Sequence, residues 1–321
     1  MNVLGIETSC DETAAAVVEN GQRIRSNTLL SSLKEHQRFG GIIPEIASRK
    51  QLEFIQTVVH SALANANLTL NNIDALAVTQ RPGLIGSLLV GIAFARSLAY
   101  ALRKPLIEVD HIQAHLYANF LQKHQPKLPA VGLVASGGHT SLFYIKNFTA
   151  IKLIGETRDD ALGETYDKVA RILELGYPGG PVIDKLARKA KNSHIHFTCA
   201  AISDTLDFSF SGIKTAVYYY VRDHGKEKNF SKENIAQSFQ KSVIEVVIEK
   251  CRRACQHYKA GTLLIGGGVA ANSYLREKLT ELSEKEKINI YYPPLNLCTD
   301  NAAMIAGWGY QLLKKQKRNI S

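Results

Sequence analysis

The sequence predicts a mixed α/β fold built from two similar halves. Strand-like and helical runs alternate along the 321 residues, which is the pattern of sheets covered by helices. A strand, a polar turn and a second strand occupy residues 5–18, and the same arrangement recurs at residues 133–145. The recurrence suggests a duplicated fold with a cleft between the halves, although two unrelated hairpins would give the same pattern.

Each element is expected from its apolar periodicity. Short apolar runs bounded by turn residues predict strands at residues 3–9, 14–19, 73–79, 106–109, 131–135, 140–146, 262–266 and 288–292. Longer runs, with apolar residues every three or four positions, predict helices at residues 44–66, 86–102, 112–121, 160–175, 182–191, 235–258, 273–283 and 301–317.

Composition indicates a globular chain with an anionic partner. The apolar fraction of 45% and charged fraction of 21% are typical of soluble proteins. The net charge of +10 favours a partner such as nucleic acid, and a basic protein kept soluble by its charge is the alternative. The five cysteines are odd in number and scattered, which favours reduced thiols over disulfides or a zinc site.

No membrane-spanning or secreted segment is expected. The N-terminus enters a strand pattern directly and lacks the features of a signal peptide. The longest apolar run, residues 84–102, is interrupted by Ser87, Arg96, Ser97 and two glycines. It predicts a buried helix and not a membrane span, so a cytoplasmic location with no membrane partner is expected.

His111 and His115 are the strongest candidates for metal ligands. Residues i and i+4 share one face of a helix, so both imidazoles can reach one ion. Zinc proteases use this spacing with a Glu base after the first histidine, but Ile112 stands there, which favours metal binding without that base. Histidines on a helix face without a metal are the alternative. Asp300 is either an N-cap or the oxygen ligand of a His-His-Asp site that would suit iron or zinc.

Two glycine segments follow predicted strands. In the segment 136–140, Ser136, Gly137 and Gly138 would let backbone N–H groups approach an anion, with a tight hairpin as the alternative. Three glycines at 266–268 open a helix start that could accept a nucleotide. Asn272 is then either the N-cap or a partner for a base or ribose. The spacing matches neither the dinucleotide nor the Walker pattern.

Carboxylates cluster around a rigid turn at residues 177–181. Asp184 follows this turn by one helical turn, and Asp160, Glu164 and Asp167 recur at i, i+4 and i+7 on one helix face. Such a face is commonly solvated, but in a cleft it could bind ribose hydroxyls or an ammonium group.

Taken together, these segments resemble the universal tRNA threonylcarbamoyladenosine synthase subunit family, of the bacterial type. That family belongs to the superfamily of actin, sugar kinases and heat-shock chaperone ATPases (ASKHA). The matching stretches are residues 5–13, 44–49, 82–84, 111–115, 136–140, 163–168, 177–181, 208–212, 266–272 and 298–301. The resemblance implies two actin-like lobes around a central nucleotide cleft, with residues 1–129 plus 301–321 in the first lobe and 130–300 in the second.

The resemblance also implies a reaction. A threonylcarbamoyl group would pass from threonylcarbamoyl-AMP to N6 of the adenosine 3′ of the anticodon, in tRNAs that read codons beginning with A, with release of AMP. The mixed anhydride is already activated, so transfer needs positioning and charge neutralisation more than a protein nucleophile. One divalent metal ion, Fe²⁺ or Zn²⁺, could supply the neutralisation. An ATP-binding regulatory or assembly protein of the same fold is the alternative.

Residue by residue, the family's metal ligands fall on His111, His115 and Asp300. Its substrate-binding positions fall on Val134, Ala135, Ser136, Gly137, Gly138, Asp167, Gly180, Asp184 and Asn272. Asp11, in the turn after the first strand, matches a position linked to activity, and we assign it a base or orienting role. A turn-forming Asp is the alternative for that position.

The resemblance implies partners as well. Bacterial members work with a paralogous actin-like subunit, which pairs through the first lobe, and with a small P-loop ATPase. We therefore expect weak or no activity from this chain alone. The chain departs from the family at Arg81 and Ala114, where Gly is common, and at Asp110, where His is common. Arg81 would restrict its loop or add a phosphate contact, and Asp110 could act as an acceptor behind the metal ligands.

Overall fold

The strands of the chain form two five-stranded sheets, one in each of two structural units. The computed structural model describes residues 1–190, 194–200 and 202–318. The first unit comprises Met1–Gln125 and Pro293–Ser321, and the second comprises Pro126–Tyr292. Residues 293–300, including Asp300, belong to the first unit.

The first unit contains a mixed sheet with the strand order β3-β2-β1-β4-β5. Its strands are β1 (Asn2–Glu7), β2 (Glu12–Glu19), β3 (Arg23–Ser31), β4 (Ala75–Arg81) and β5 (Leu106–Asp110). Strands β1, β2 and β3 are antiparallel neighbours, whereas β4 and β5 run parallel to β1. Its described helices are α1 (Leu33–Gln37), α2 (Pro44–Asn65), α3 (Ile85–Leu102), α4 (His111–Tyr117) and α10 (Ala302–Arg318).

The second unit repeats this topology with the order β8-β7-β6-β9-β10. Its strands are β6 (Ala130–Ala135), β7 (Thr140–Asn147), β8 (Ala150–Glu156), β9 (Thr262–Gly266) and β10 (Asn289–Tyr291). Its described helices are α5 (Leu162–Ile172), α6 (Gly179–Ala187), α7 (Ser211–His224), α8 (Lys232–His257) and α9 (Ser273–Glu286).

The predicted internal duplication is confirmed by this shared topology. In each sheet, an antiparallel meander of three strands is followed by two parallel strands on the side of the first strand. The two hairpins seen in the sequence, β1–β2 and β6–β7, occupy equivalent positions in the two sheets.

Helix α10 lies directly against β1, and this contact fixes the position of Asp300. A Cβ atom on Gly5 would come within 2.4 Å of the Ala302 carbonyl oxygen, so only glycine permits this approach. At the other side of the contact, a Cβ on Gly309 would come within 2.5 Å of Ala77 Cβ. The chain just before α10 is thereby held near the carboxyl ends of β1, β4 and β5.

The expected strands and helices are present, but several elements were not predicted. Strands β3 and β8 are edge strands with many exposed polar residues, so they lack a continuous apolar run. Helix α7 contains three consecutive tyrosines, which favour strands by propensity. The helix expected at 112–121 changes to a 3₁₀ turn, Ala118–Phe120. The helix expected at 182–191 already ends at Ala187, and residue 191 lies outside the described residues.

Helix α3 corrects one prediction. The apolar run is helical, but it is not a buried helix. A stripe of small residues, Ser87, Gly91, Ala95 and Ala99, is buried, and α3 packs on α2 and β4. Ile85, Leu89 and Tyr100 are 79%, 60% and 88% exposed. By length and composition alone α3 could cross a membrane, which is weak evidence for a helix whose small-residue stripe packs into a folded unit.

The five cysteines are free thiols, as expected. Cys10 is half-buried and the other four are buried. Burial raises the pKa of Cys199 and of Cys255 to about 12, so these thiols are protonated and unreactive at neutral pH.

Candidate functional site

The metal-ligand candidates of the first unit lie at the carboxyl edge of its parallel strands. His111 begins α4 directly after β5. Asp110 is the N-cap of α4 and accepts a hydrogen bond from the Gln113 N–H at 3.0 Å. The short helix then places His115 one turn further along the same face.

Three ligand atoms of the predicted set converge on one point. His115 Nε2 lies 3.2 Å from His111 Nε2 and 3.2 Å from Asp300 Oδ1, and His111 Nε2 lies 3.4 Å from the same Asp300 oxygen. Metal–ligand bonds of about 2.0–2.2 Å separate ligand atoms by about 3 to 3.5 Å. His111, His115 and Asp300 therefore fit one metal ion, and they are the group that could hold an ion among the described residues.

Glu7 orients His111 from behind. Its Oε2 lies 2.9 Å from His111 Nδ1 and accepts a hydrogen bond from Thr79 Oγ1 at 2.6 Å. The Ser9 hydroxyl also lies 3.3 Å from His111 Nδ1. A proton on Nδ1 that points at a carboxylate leaves the Nε2 lone pair free for a metal. Glu7, not Asp110, is thus the carboxylate behind the ligands, because Asp110 is engaged in capping α4.

The electrostatics of this cluster suit a cation. Burial would lower the pKa of His111, but the Glu7 and Asp300 carboxylates raise it well above its usual value. Burial lowers the pKa of His115, whose Nδ1 is buried without a hydrogen-bond partner among the described residues. Burial would raise the pKa of Asp300, but the charge of His111 holds it well below its usual range. The carboxylate of Asp300 is therefore ionised where the two imidazoles meet.

Asp300 is not the N-cap of α10. The neighbouring Asn301 accepts the Met304 N–H at 3.0 Å through its side-chain oxygen, which is the contact of an N-cap residue. In the part of the chain that the structure describes, the two histidines are the side-chain partners of Asp300. Asn301 therefore fills the N-cap role that the sequence also allowed for Asp300.

Asp11 is nearly buried in the turn between β1 and β2. Its backbone oxygen accepts hydrogen bonds from the Ser32 N–H at 3.1 Å and from the Ser32 hydroxyl at 2.9 Å. Burial, with the charges of Asp300 and Asp11, raises the pKa of the adjacent Glu12. The turn thus adds carboxylates to the edge that carries the histidines.

In the second unit, the glycine segments border open space. Val134 and Ala135 are the buried last residues of β6, so only their backbone groups are available to a ligand. A Cβ atom on Gly137, Gly138 or Gly180 would meet nothing within 4 Å, and none of these glycines has a positive φ. Neither packing nor backbone conformation requires glycine at these three positions. A ligand that closely approaches the backbone would explain why they are glycines.

Ser136 lies directly before the first two of these glycines in the β6–β7 turn. Its N–H donates to the His139 carbonyl at 2.8 Å, and its own carbonyl accepts the Gly163 N–H at 3.1 Å. The β6–β7 turn is therefore tied to the start of α5. By contrast, Gly267 has a φ of +84°, and a Cβ there would approach the Ala135 oxygen to 2.4 Å, so its glycine is required by the fold.

On the predicted acidic face of α5, Asp160 and Glu164 are engaged in ion pairs with lysines. Lys168 Nζ lies 2.7 Å from Asp160 and 2.8 Å from Glu164, and Lys214 Nζ lies 2.9 Å from Asp160. Asp167 Oδ1 accepts the Gly179 N–H at 2.7 Å, next to Gly180. Burial raises the pKa of Asp167, although the Gly179 hydrogen bond and the charge of Arg171 oppose that shift.

Asp184 and Asn272 are joined through a buried glutamine. Gln240 donates to Asp184 Oδ1 at 3.3 Å and accepts from Asn272 Nδ2 at 2.9 Å. Asn272 also caps α9 through the Leu275 N–H at 2.9 Å, so its capping role is real. Asp184 further accepts from the Ser273 hydroxyl at 2.8 Å.

Sequence reasoning missed Glu7 and Gln240. Glu7 ends an otherwise apolar buried strand, and a carboxylate there is costly to bury unless it has a partner; that cost was the available signal. Gln240 lies mid-helix in α8 on its buried face, and no spacing in the sequence links it to Asp184 or Asn272.

The duplicated topology defines the class of protein: an α/β protein with the actin-like (ASKHA) fold. One unit carries a cluster that could hold a metal ion, and the other carries glycines that border open space. A ROK hexokinase from Thermus thermophilus shares the fold, with a TM-score of 0.52 and 16% identity over 99% of this chain and 100% of that one.

The family model for tRNA N6-adenosine threonylcarbamoyltransferase (TsaD) matches residues 23–307. The proteins of that name from Moorella thermoacetica and Clostridium botulinum are 51% and 50% identical to the chain. The alignments cover 100% and 97% of this chain and 94% and 92% of those proteins. The chain belongs to the tRNA N6-adenosine threonylcarbamoyltransferase family. It is a transferase that forms threonylcarbamoyladenosine in tRNA, and no finding favours the regulatory alternative.

Proposed function

We propose that the chain transfers a threonylcarbamoyl group from threonylcarbamoyl-AMP to N6 of the adenosine 3′ of the anticodon, in tRNAs that read codons beginning with A. AMP leaves, and the amine nitrogen takes its place on the carbamoyl carbon while losing a proton. The observation that carries the proposal is the convergence of His111, His115 and Asp300 within 3.4 Å of one another, in a chain of this family.

The metal would be Fe²⁺ or Zn²⁺, held by His111 Nε2, His115 Nε2 and Asp300 Oδ1. Two imidazoles and one carboxylate, with positions left open, are a donor set that both ions accept. When bound, the ion would act as a Lewis acid that stabilises negative charge on the leaving phosphate. Glu7 would keep the His111 lone pair directed at the ion by accepting the Nδ1 proton.

The second unit would bind the donor nucleotide. The backbone of Val134–Gly138 would approach the acyl-phosphate, because nothing fills the space beside Gly137 and Gly138. Asp167 and Asp184 would accept ribose hydroxyls beside Gly180. Asn272, restrained by Gln240 and by its cap, would present its remaining amide N–H to the base.

Asp11 would orient the target amine or accept its proton. The position of Asp11 supports this role. Asp11 is buried in the turn that follows β1, the strand that also carries Glu7. A carboxylate close to the reacting amine could take the proton that transfer releases.

The exposed apolar stripe of α3 supports pairing with a paralogous actin-like subunit through the first unit. Ile85, Leu89 and Tyr100 recur at helical spacing on the solvent face of α3, and Leu52 of α2 is 66% exposed. Such a stripe is unusual on a free protein surface. A Leu89→Glu variant should lose co-elution with the paralogous subunit, whereas Leu153→Glu in the second unit should retain it.

A small P-loop ATPase would complete the active assembly, which we place in the cytoplasm, where tRNA and reduced thiols are found. We expect weak or single-turnover activity from the chain alone. Robust multiple turnover without either partner would contradict this part of the proposal.

The test is modification of unmodified tRNA by the metal-loaded protein with threonylcarbamoyl-AMP and the partner subunits. His111→Ala should lose bound metal and reduce the rate by at least about 100-fold, because it removes a ligand. His60→Ala, at an exposed position on α2, is the matched control and should retain both. Absence of threonylcarbamoyladenosine with the wild-type assembly would overturn the proposed reaction.

A further inference from the structure

Arg81 is an exposed cation beside the metal-ligand cluster. It is the last residue of β4, and its side chain is 77% exposed. Its Nε lies 3.9 Å from Asp110 Oδ2, at the outer limit of an ion pair. Among the described residues no closer acidic group holds the guanidinium, so it is available to an external anion.

The strand register places Arg81 at the edge where the ligands lie. Arg81 is paired with Asp110 across β4 and β5, and His111 is the next residue of the chain. Because β1, β4 and β5 are parallel, their carboxyl ends meet at one edge of the sheet. Arg81 and the two histidines therefore lie on the same edge of the first unit.

The carboxylates at that edge of the sheet give the positive charge of Arg81 a specific use. The carboxylates of Glu7 and Asp300 lie within 3.4 Å of the histidine nitrogens. An RNA whose adenosine reaches this cluster also brings its backbone phosphates, which the carboxylates would repel. An exposed arginine at the margin of the cluster offsets that repulsion and offers several N–H donors to phosphate oxygens.

We propose that the Arg81 guanidinium contacts a backbone phosphate of the single-stranded tRNA segment that carries the target adenosine. The inference rests on the proposed function, in which that adenosine is modified beside His111, His115 and Asp300. A phosphate contact of this kind positions the RNA without reading its sequence.

The donor nucleotide also carries a phosphate, so a phosphate bound by Arg81 could come from the RNA or from the donor. The exposure of Arg81 favours the RNA, because backbone contacts lie at the solvent-exposed margin of a site, whereas a bound nucleotide is enclosed by its pocket. The two sources differ in what they change. An RNA contact affects tRNA affinity and its salt dependence, whereas a donor contact affects the KM for the donor.

Arg23 provides a matched control. Its side chain is 73% exposed and forms a single ion pair with Glu19 at 3.4 Å, which closely resembles the situation of Arg81. It begins β3, and the register Asn2↔Glu19↔Arg23 places it at the amino end of β1. Arg23 thus lies on the same sheet, at the edge opposite the metal ligands.

The experiment compares wild type, Arg81→Gln, Arg81→Lys and Arg23→Gln as metal-loaded full-length chains with their partner subunits. Equilibrium tRNA binding is measured over a series of KCl concentrations, and metal content and the donor KM are measured for each variant. Loss of one contact to single-stranded RNA should reduce the slope of log K against log salt by about 0.7. The same slope corresponds to roughly fivefold weaker binding at about 0.1 M salt.

We expect Arg81→Gln to show this loss with unchanged metal content and donor KM, Arg81→Lys to retain most of the slope, and Arg23→Gln to match wild type. An unchanged slope for Arg81→Gln would overturn the inference, and so would an equal loss in Arg23→Gln. A raised donor KM with unchanged tRNA binding would assign the contact to the donor and also overturn it. Failure of the proposed reaction is separate, since it would be seen as absent modification by wild type.

Discussion

The carboxylate of Glu7 lies 2.9 Å from Nδ1 of His111, on the opposite side of the ring from His115 and Asp300, the other two candidate metal ligands. Glu7 is fully buried, and it also accepts hydrogen bonds from the Thr79 hydroxyl and the Ser9 N–H. The pair therefore resembles the carboxylate–histidine arrangement that fixes the ring orientation and tautomer of metal-bound histidines.

Replacement of Glu7 by Gln should weaken metal binding by about tenfold or more, because the charge that supports the His111 tautomer is lost. Metal affinity can be measured by competition with a chromogenic chelator. Glu108→Gln, on β5 with Arg96 as its partner, is the control and should retain wild-type affinity. Equal affinities for wild type and Glu7→Gln would show that Glu7 does not support the ligand.

Substitutions of Asp300 and Asn301 should affect two different properties, metal binding and stability. Asp300→Ala should abolish tight metal binding, whereas Asn301→Ala should lower the free energy of unfolding by about 1 to 2 kcal/mol, through loss of the N-cap and a buried amide. Metal titration and chemical denaturation of both variants test the separation. The assignment is wrong if Asn301→Ala loses metal while its native fold persists.

Substitution by alanine should have different effects on stability at Gly138 and at Gly267. Gly138→Ala places a methyl group in open space, so stability should change by less than about 0.5 kcal/mol while the donor KM rises. Gly267→Ala forces a φ of +84° and a 2.4 Å contact with Ala135, so stability should fall by about 1 to 3 kcal/mol. Thermal unfolding and steady-state kinetics distinguish the two. An unchanged donor KM in Gly138→Ala would argue against donor binding beside this glycine.

Asp159 should stabilise the start of α7 at neutral pH. It accepts hydrogen bonds from the Phe210 N–H at 2.7 Å and the Ser211 hydroxyl at 2.8 Å, so Asp159→Ala should cost about 1 kcal/mol. Burial would raise its pKa, but these bonds and that of Ser209 lower it below 3.8.

The sign of the pH dependence follows from the lowered pKa. A depressed carboxyl pKa gives stability that is fully present above the ordinary value of 3.8 and is lost as pH falls through the lower folded value. The difference between wild type and Asp159→Ala should therefore persist at pH 5 to 7 and narrow only below about pH 4. A difference that instead grows on acidification would contradict the assignment.

Much of the fold was readable from the sequence because the central strands are buried on both faces. Such strands form continuous apolar runs, as in β4 and β9, and the repeated hairpins indicated duplication. The edge strands β3 and β8 escaped prediction because half-exposed strands carry polar residues. The burial of α3 was overestimated, because hydropathy measures composition and does not show which helix face has a partner.

The candidate site was only partly readable. The i, i+4 spacing put His111 and His115 on one face without further information. From the residues alone Asp300 was either an N-cap or a third ligand, because 185 residues separate it from His115, and the resemblance favoured the ligand. Whether Asp300 or Asn301 caps α10 depends on a difference of one residue in the helix start, which propensity cannot resolve.

By itself, the sequence determined the family, the alternation of strands and helices, and which residue types could bind a metal or approach a nucleotide. Those properties depend on local spacing and on the order of motifs. The tertiary structure decided which candidates are engaged elsewhere: Asp110 in a cap, Asp160 and Glu164 in ion pairs, and Asn272 partly in both a cap and the Gln240 contact. The tertiary structure also revealed the contact between Glu7 and His111. These residues are 104 positions apart in the chain, and the pairing of strands that brings them together cannot be inferred from sequence spacing.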